Sequence, residues 1–205
     1  MDKIKKRYLI GVLTLIGFII ITTLYLTNKI NGFDNLIYNP ICNIRNDILN
    51  IIFKIITYMG STIPVIIITI ILMMILNQKD RIILGSSMII TLIINQIIKH
   101  LVQRPRPPII ERLVHQGGYS YPSGHSMMAL CLYGVLIYFT INKIKSKKRK
   151  ILLVSILSII ILLIGISRIY VRVHYPSDVL AGYLITITIL IINITLINNH
   201  FNRGK

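Results

Sequence analysis

Apolar stretches long enough to cross a membrane are the feature that most constrains how this chain can fold. A helix needs about 20 predominantly apolar residues to cross a bilayer, within a range of about 17 to 25. Six stretches meet this requirement, at about residues 8–26, 61–77, 82–100, 125–141, 151–169 and 179–197. Hydrophobic residues make up 54% of the chain, which is too many for an ordinary soluble domain. The sequence therefore predicts an all-α integral membrane protein, a six-transmembrane-helix bundle formed by a single domain over residues 1–205.

Two further stretches bear on the number of spans. Residues 46–58 mix polar and apolar residues at helical spacing, and we expect them to lie in the membrane interface rather than to cross it. The basic amino end followed by residues 8–26 is similar to a signal peptide, but the apolar part is long for one. Thr27-Asn28-Lys29 offers no small-x-small cleavage site, so we predict a retained first span.

The charge of the chain lies mainly between the apolar stretches. The net charge is +17, from 23 Lys and Arg against 6 Asp and Glu. Fourteen of the basic residues fall in regions that share one side of a six-span protein: Lys3, Lys5, Lys6, Arg7, Lys79, Arg81, Lys143, Lys145, Lys147, Lys148, Arg149, Lys150, Arg203 and Lys205. The positive-inside rule places both termini in the cytoplasm and the loops 27–60, 101–124 and 170–178 outside. This distribution indicates membrane topology and contact with anionic lipid, not nucleic-acid binding.

Three polar clusters occur at the outer ends of the predicted spans. They are Lys99 with Arg106-Pro107, then Pro122-Ser123-Gly124-His125, and finally Ser167-Arg168 with His174 and Asp178. Ionisable groups at the ends of membrane segments are costly to keep there, and they are a functional hypothesis by default. Two histidines and a carboxylate suit proton transfer and nucleophilic attack, and three cations suit the binding of an anion.

Local chemistry indicates what the second and third clusters could do. Ser123 is a natural N-cap, and the unpaired N–H groups at a helix start can bind phosphate oxygens. Gly124 would let an anion approach the backbone closely. Pro176 is suited to begin the last helix, which puts Asp178 in its first turn. From there the Asp178 carboxylate could accept the Nδ1 proton of His174 and leave Nε2 free as a nucleophile or base.

Each cluster also has a purely structural interpretation. Lys99 could extend its amine to the interface, Ser123 could cap a helix that binds nothing, and Asp178 could favour the helix dipole. A metal site formed by His125, His174 and Asp178 is disfavoured, because three cations would surround it with like charge. We therefore expect no metal and no cofactor. The two cysteines, Cys42 and Cys131, form no metal-ligand spacing, and the remaining nearby cations are candidate supporting or headgroup contacts: Arg104, Arg112 and Arg172.

With these residues identified, the chain resembles the type 2 phosphatidic acid phosphatase family of membrane lipid phosphatases. The family pattern is KxxxxxxRP, then PSGH, then SRxxxxxHxxxD, and every specified position is present in the three clusters above. The resemblance covers about residues 50–195, which would form the core of the domain. The flanking residues 119–121 and 126–127 are similar to those of bacterial members that act on phosphatidylglycerophosphate.

The resemblance implies a role for each residue. His174 would attack phosphorus and form a phosphohistidine, Asp178 would orient it, and His125 would protonate the leaving oxygen and later activate water. The phosphoryl oxygens would be held by Lys99, Arg106, Ser123, Gly124 and Arg168. The implied enzyme is a magnesium-independent phosphoric monoester hydrolase in a bacterial cell membrane, with its active site on the extracytoplasmic side. Its partners would be the bilayer and a lipid substrate such as phosphatidylglycerophosphate, phosphatidate or undecaprenyl diphosphate.

Other functions use the same features. A phosphotransferase would pass the phosphoryl group to a second lipid instead of to water. A non-catalytic lipid binder or transporter is also conceivable, although binding alone does not require both His125 and His174. Soluble vanadate peroxidases share the arginine–histidine pattern by resemblance, and six membrane spans argue against that class.

Overall fold

The computed structural model describes residues 3–203, and every regular element in that range is helical. The α-helices are α1 (Lys3–Leu26), α2 (Asn31–Asn43), α3 (Asp47–Met59), α4 (Thr62–Ile75), α5 (Gln78–Val102), α6 (Gly124–Lys143), α7 (Lys147–Tyr170) and α8 (Pro176–Arg203), with a 3₁₀ turn at Ile109–Glu111. The prediction of an all-α membrane bundle is confirmed. Of the basic residues counted above, Lys205 lies outside the described range.

Within residues 3–203, five helices are each long and apolar enough to cross a membrane, namely α1, α5, α6, α7 and α8. The remaining span differs from the prediction. We expected residues 46–58 to lie in the interface and residues 61–77 to form a span by themselves. Helix α4 has only 14 residues, which is about 21 Å of helix against a bilayer core of about 30 Å. Helices α3 and α4 together have the length and composition of one span, bent by 44°.

The bend has a local cause in the sequence. Gly60 ends α3, and Pro64 lies in the first turn of α4, where its missing N–H costs no helical hydrogen bond. A Cβ at Gly60 would come within 2.6 Å of Ile164 Cγ2. Only glycine therefore allows the chain to turn this close to α7.

Helix α8 lies at the centre of the bundle and contacts α1, α5 and α6. Its approach to α1 is close, because a Cβ on Gly11 or Gly17 would lie 3.3 Å from Ile191 or Leu184. Small residues at such contacts are the usual means by which membrane helices pack tightly. The opposite faces of the helices expose large aliphatic side chains, as expected where lipid is the neighbour.

The packing separates two ends of the bundle. At one end Thr22 of α1 is 2.7 Å from the hydroxyl of Tyr121, and the Ser123 N–H donates to the Asp178 carbonyl over 3.0 Å. This end gathers the C-termini of α1, α5 and α7 and the N-termini of α6 and α8. At the other end Lys143 pairs with Asp80, so the basic 142–150 loop lies away from all three polar clusters.

Candidate active site

Four helix ends position the predicted site residues at one end of the bundle. Lys99 lies in the last turn of α5, Arg168 in the last turn of α7 and Asp178 in the first turn of α8. Ser123 is the N-cap of α6, with its hydroxyl 2.8 Å from that of Ser126. A cavity of about 200 Å³ is lined by five of the predicted residues: Lys99, Arg106, Gly124, His125 and His174.

His174 is buried between an acid and a cation. Its Nδ1 is 3.3 Å from Asp178 Oδ2, and its Nε2 is 2.9 Å from a terminal nitrogen of Arg106. A guanidinium can only donate, so Nε2 carries the lone pair and Nδ1 carries the proton. The ring is therefore in the Nδ1–H tautomer, and its unprotonated Nε2 lies on the side away from Asp178.

Burial and charge keep this ring neutral. Burial lowers the pKa of His174 well below its usual value, and the positive charges of Arg106, Arg168 and Lys99 lower it further. Burial also lowers the pKa of Arg106, to about 10, which leaves it cationic at neutral pH. A neutral imidazole beside fixed cations can act as a nucleophile toward an anion.

The Asp178 carboxylate is fully buried, and both of its oxygens are engaged. Besides His174, Oδ2 accepts from the Ser120 hydroxyl and from the Tyr175 N–H, the latter over 2.9 Å. Oδ1 accepts from Arg104 over 2.7 Å. Arg104 was only a candidate supporting residue from the sequence, and the structure places it in direct contact with the acid of the site.

Arg168 is 1% exposed, and neutral groups satisfy most of its guanidinium. One terminal nitrogen donates to Thr57 Oγ1 over 2.5 Å, and the other donates to Gln116 Oε1 over 3.0 Å. Its Nε has no partner among the described residues. Arg168 itself does not line the cavity, but its partner Gln116 does.

Gly124 and His125 occupy the start of α6. A Cβ at Gly124 would lie 3.1 Å from Asn95 Oδ1, so the helix start and α5 are closely packed there. The Asn95 amide donates to the Pro122 carbonyl over 3.3 Å, which holds the turn before the helix. The backbone carbonyl of His125 would lie 3.6 Å from a Cβ at Gly60, so the start of α6 is also close to the break between α3 and α4.

Arg112 and Arg172, the other two candidate cations, hold the loop between α5 and α6 and do not line the cavity. Arg112 donates to the carbonyls of Pro107 and Gln116, over 2.8 and 3.1 Å. Arg172 pairs with Glu111 at 2.7 Å. Their contacts shape the segment that carries Arg106. Within residues 3–203 no three His, Cys, Asp or Glu side chains are grouped to hold a metal ion.

Sequence reasoning missed four residues that contact the site: Asp34, Thr57, Gln116 and Ser120. Thr57, Gln116 and Ser120 are ordinary polar residues outside the motifs, and no sequence signal distinguishes them. Asp34 had a weak signal, because it is one of only 6 acidic residues in the chain and one of two, with Asp47, in residues 27–60. The structure buries it at 2% exposure beside Arg104.

Comparison with known proteins identifies the family. The model of the PAP2 superfamily matches residues 81–202. The chain belongs to the PAP2 superfamily. It is 32% identical to phosphatidylglycerophosphatase B of Bacillus subtilis over 183 residues, which cover 81% of this chain and 84% of that protein. An undecaprenyl-diphosphatase of Sulfolobus acidocaldarius is 26% identical over 53% of this chain and 51% of its own length.

Solved PAP2 structures share the fold. The crystal structure of a transmembrane PAP2 type phosphatidylglycerolphosphate phosphatase from Bacillus subtilis matches with a TM-score of 0.81 at 28% identity. That match covers 95% of this chain and 97% of the other. Aquifex aeolicus LpxE matches with a TM-score of 0.63 at 28% identity, over 77% of this chain and 92% of its own. The resemblance to PAP2 phosphatases, including a bacterial phosphatidylglycerophosphatase, is thereby confirmed.

The depressed pKa of His174 predicts a loss of stability in acid. Below about pH 6.5 the unfolded chain binds a proton at this histidine that the folded protein does not. The free energy of unfolding therefore decreases as the pH falls below this value, by up to about 1.4 kcal/mol for each pH unit. Thermal unfolding in detergent at about pH 7.5 and about pH 5 should show a larger fall for the wild type than for His174→Asn, which cannot titrate. An equal decrease of the melting temperature in the two proteins would contradict the conclusion that His174 is buried and neutral.

Proposed function

We propose that this PAP2 protein is a lipid phosphatase that hydrolyses lipid phosphate or diphosphate monoesters through a phosphohistidine. The observation that carries the proposal is the His174 ring, held between Asp178 and Arg106 with its unprotonated Nε2 at a cavity lined by cations. In the first step Nε2 would form a bond to phosphorus while the bond to the lipid oxygen breaks. His125 would give that oxygen a proton.

The second step would return the site to its starting state. His125, now neutral, would take a proton from water as the water oxygen attacks phosphorus. The P–N bond would break, inorganic phosphate would leave, and His174 would regain its lone pair. Asp178 would stabilise the positive charge that forms on the His174 ring when Nε2 is bonded to phosphorus.

Positive charge would perform the role that magnesium has in many phosphoryl transfers. Such reactions depend mainly on positioning and on stabilising charge on the phosphoryl oxygens. Lys99, Arg106 and Arg168 would provide three cations, and the start of α6 would provide the Gly124 N–H and the Ser123 hydroxyl, since the Ser123 N–H is bonded to the Asp178 carbonyl. The free Nε of Arg168 is a further donor that a phosphoryl oxygen could satisfy.

The apolar side of the same cavity supports a lipid substrate. Val65, Ile66, Leu92 and Met128 line it beside the polar groups. Ile66 and Leu92 are each about half exposed on the lipid-facing side, so an apolar tail would reach the cavity from the bilayer. Phosphatidylglycerophosphate, phosphatidate and undecaprenyl diphosphate fit this description, and the names of the relatives support the first and last.

The site would face the extracytoplasmic side, with both termini in the cytoplasm. The basic 142–150 loop lies at the end of the bundle away from His174, and the positive-inside rule assigns such loops to the cytoplasm. The domain would extend over the whole chain, since α1 and α2 pack on the helices within the family match.

Labelling of single cysteines tests this orientation. Gly117→Cys lies in the outer loop, where an added side chain meets open space, and Lys147→Cys lies in the basic loop. In a Cys42→Ser background an impermeant thiol reagent added to intact cells should label position 117 and not position 147. Labelling of position 147 from outside would reverse the proposed topology.

Independence from metal is a second expectation. Because cations of the chain surround the phosphoryl site, a chelator should leave lipid phosphate hydrolysis unchanged. Vanadate should inhibit, since it resembles the five-coordinate transition state that such a site binds. The measurement is release of inorganic phosphate from phosphatidate with EDTA, with added magnesium, and with vanadate. Loss of turnover in EDTA that magnesium restores would rule out the cationic mechanism.

The two histidines should fail in different ways. His174→Ala should form no phosphoenzyme with any substrate, since the nucleophile is gone. His125→Ala should lose about 10²–10⁴-fold on a lipid phosphate, whose alkoxide leaves poorly without a proton. On an aryl phosphate the first step should partly recover, and acid-labile, base-stable label should accumulate at His174. Equal loss of labelling in two folded variants would overturn these roles.

A further inference from the structure

We propose that Asp34 and Arg104 are positioning residues that orient the Asp178 carboxylate toward His174, and so make the chemistry depend on helix α2. The inference rests on the proposed function, because it assigns His174 as the nucleophile. Asp34 lies outside the matched residues 81–202, and Arg104 is at an unspecified position of the KxxxxxxRP motif.

Arg104 connects the two acids. One terminal nitrogen donates to Asp178 Oδ1 over 2.7 Å, and the other donates to Asp34 Oδ2 over 2.6 Å. The guanidinium carbon lies 4.6 Å from the centre of the Tyr25 ring and 4.2 Å from that of Tyr175. Arg104 itself is 4% exposed. A planar fork held between two rings and two carboxylates has one orientation.

Asp34 holds the start of α8 from the other side. Its Oδ1 accepts from the Ser177 N–H over 2.8 Å, and its Oδ2 accepts from the Ser177 hydroxyl over 2.8 Å. That hydroxyl also accepts from Arg104 over 2.7 Å. Asp34 on α2 thus fixes the residue next to Asp178 as well as the cation that binds Asp178.

The two oxygens of the Asp178 carboxylate bind different partners, and this links Arg104 to the reaction. Arg104 takes Oδ1, and His174 shares Oδ2 with Ser120 and the Tyr175 N–H. With Oδ1 bound, the plane of the carboxylate is set and Oδ2 faces the ring. Without Arg104, two buried carboxylates would be left without their cation, so one would take up a proton or turn away. A protonated or rotated Asp178 would be a weaker or misplaced acceptor for the His174 Nδ1–H.

The test compares variants of Asp34 and Arg104 with a matched control. Asp34→Asn should lower kcat on phosphatidate by about 10-fold, and Arg104→Gln by about 100-fold, as for other partners that orient a functional histidine. KM should change by less than about twofold, because neither residue lines the cavity. The control is Asp80→Asn, a buried acid paired with Lys143 at the far end, which should lower the melting temperature and leave kcat unchanged.

A coupling measurement separates positioning from a structural role. If Arg104 acts through Asp178, then Arg104→Gln should reduce phosphohistidine formation much less in an Asp178→Asn background than in the wild type. The label is measured with an aryl phosphate in the His125→Ala background, where it should accumulate. Fully additive losses in that cycle would show that Arg104 does not act through Asp178.

A double variant guards against misfolding. Asp34→Asn with Arg104→Gln removes one charge of each sign, so the local net charge stays the same and the protein should melt cooperatively. It should still show the lowered kcat, since no cation holds Asp178 Oδ1. A kcat within about twofold of the wild type would overturn the proposal. If the wild type itself forms no phosphohistidine, the proposed function fails instead, and the two failures are distinct.

Discussion

Asp178 joins the start of α8 to the start of α6 and to the loops on either side of the site. Its side chain accepts from His174, from Ser120 in the loop between α5 and α6, and from Arg104, and its backbone carbonyl accepts from the N-cap residue of α6. A buried carboxylate is costly unless its lone pairs are filled, so each of these partners is required for the others to stay in place. The position of His174, the proposed nucleophile, is thus determined by the same bonds that join α6, α8 and the loop.

Apart from the buried Arg168 Nε, which has no partner in the described part of the chain, the cations of the site donate to neutral acceptors. Lys99 donates to the carbonyl of Tyr119, Arg106 to the carbonyls of Gly117, Gly118 and Val173, and Arg168 to a hydroxyl and an amide. These acceptors remove the penalty of unpaired donors, but they carry no formal charge. Positive potential therefore stays directed into the cavity. The two acids nearby, Asp34 and Asp178, both pair with Arg104, which lies outside the cavity lining.

The sequence predicted what depends on long or local patterns. Spans of about 20 apolar residues are visible because membrane thickness imposes their length, and the N-cap at Ser123 and the first-turn Asp178 follow from local helix chemistry. Helix α2 and the union of α3 with α4 escaped prediction because each piece has only 13 or 14 residues, and because α2 and α3 have mixed polarity whereas α4 is apolar enough to be taken for a separate span. The contacts of Asp34 with Ser177, and of Thr57 with Arg168, join residues more than a hundred positions apart. Only tertiary packing brings such pairs together.

The break between α3 and α4 links the polar and apolar halves of the site. Helix α3 ends at Met59, and the hydroxyl of Thr57 in its last turn accepts from the Arg168 guanidinium. After Gly60 the chain turns by 44°, and α4 places Val65 and Ile66 along the same cavity. If α3 and α4 formed one straight helix, Thr57 and the residues Val65 and Ile66 could not all lie close to the site. The bend lets one segment contribute both a polar group beside the cations and the apolar wall that a lipid tail would contact.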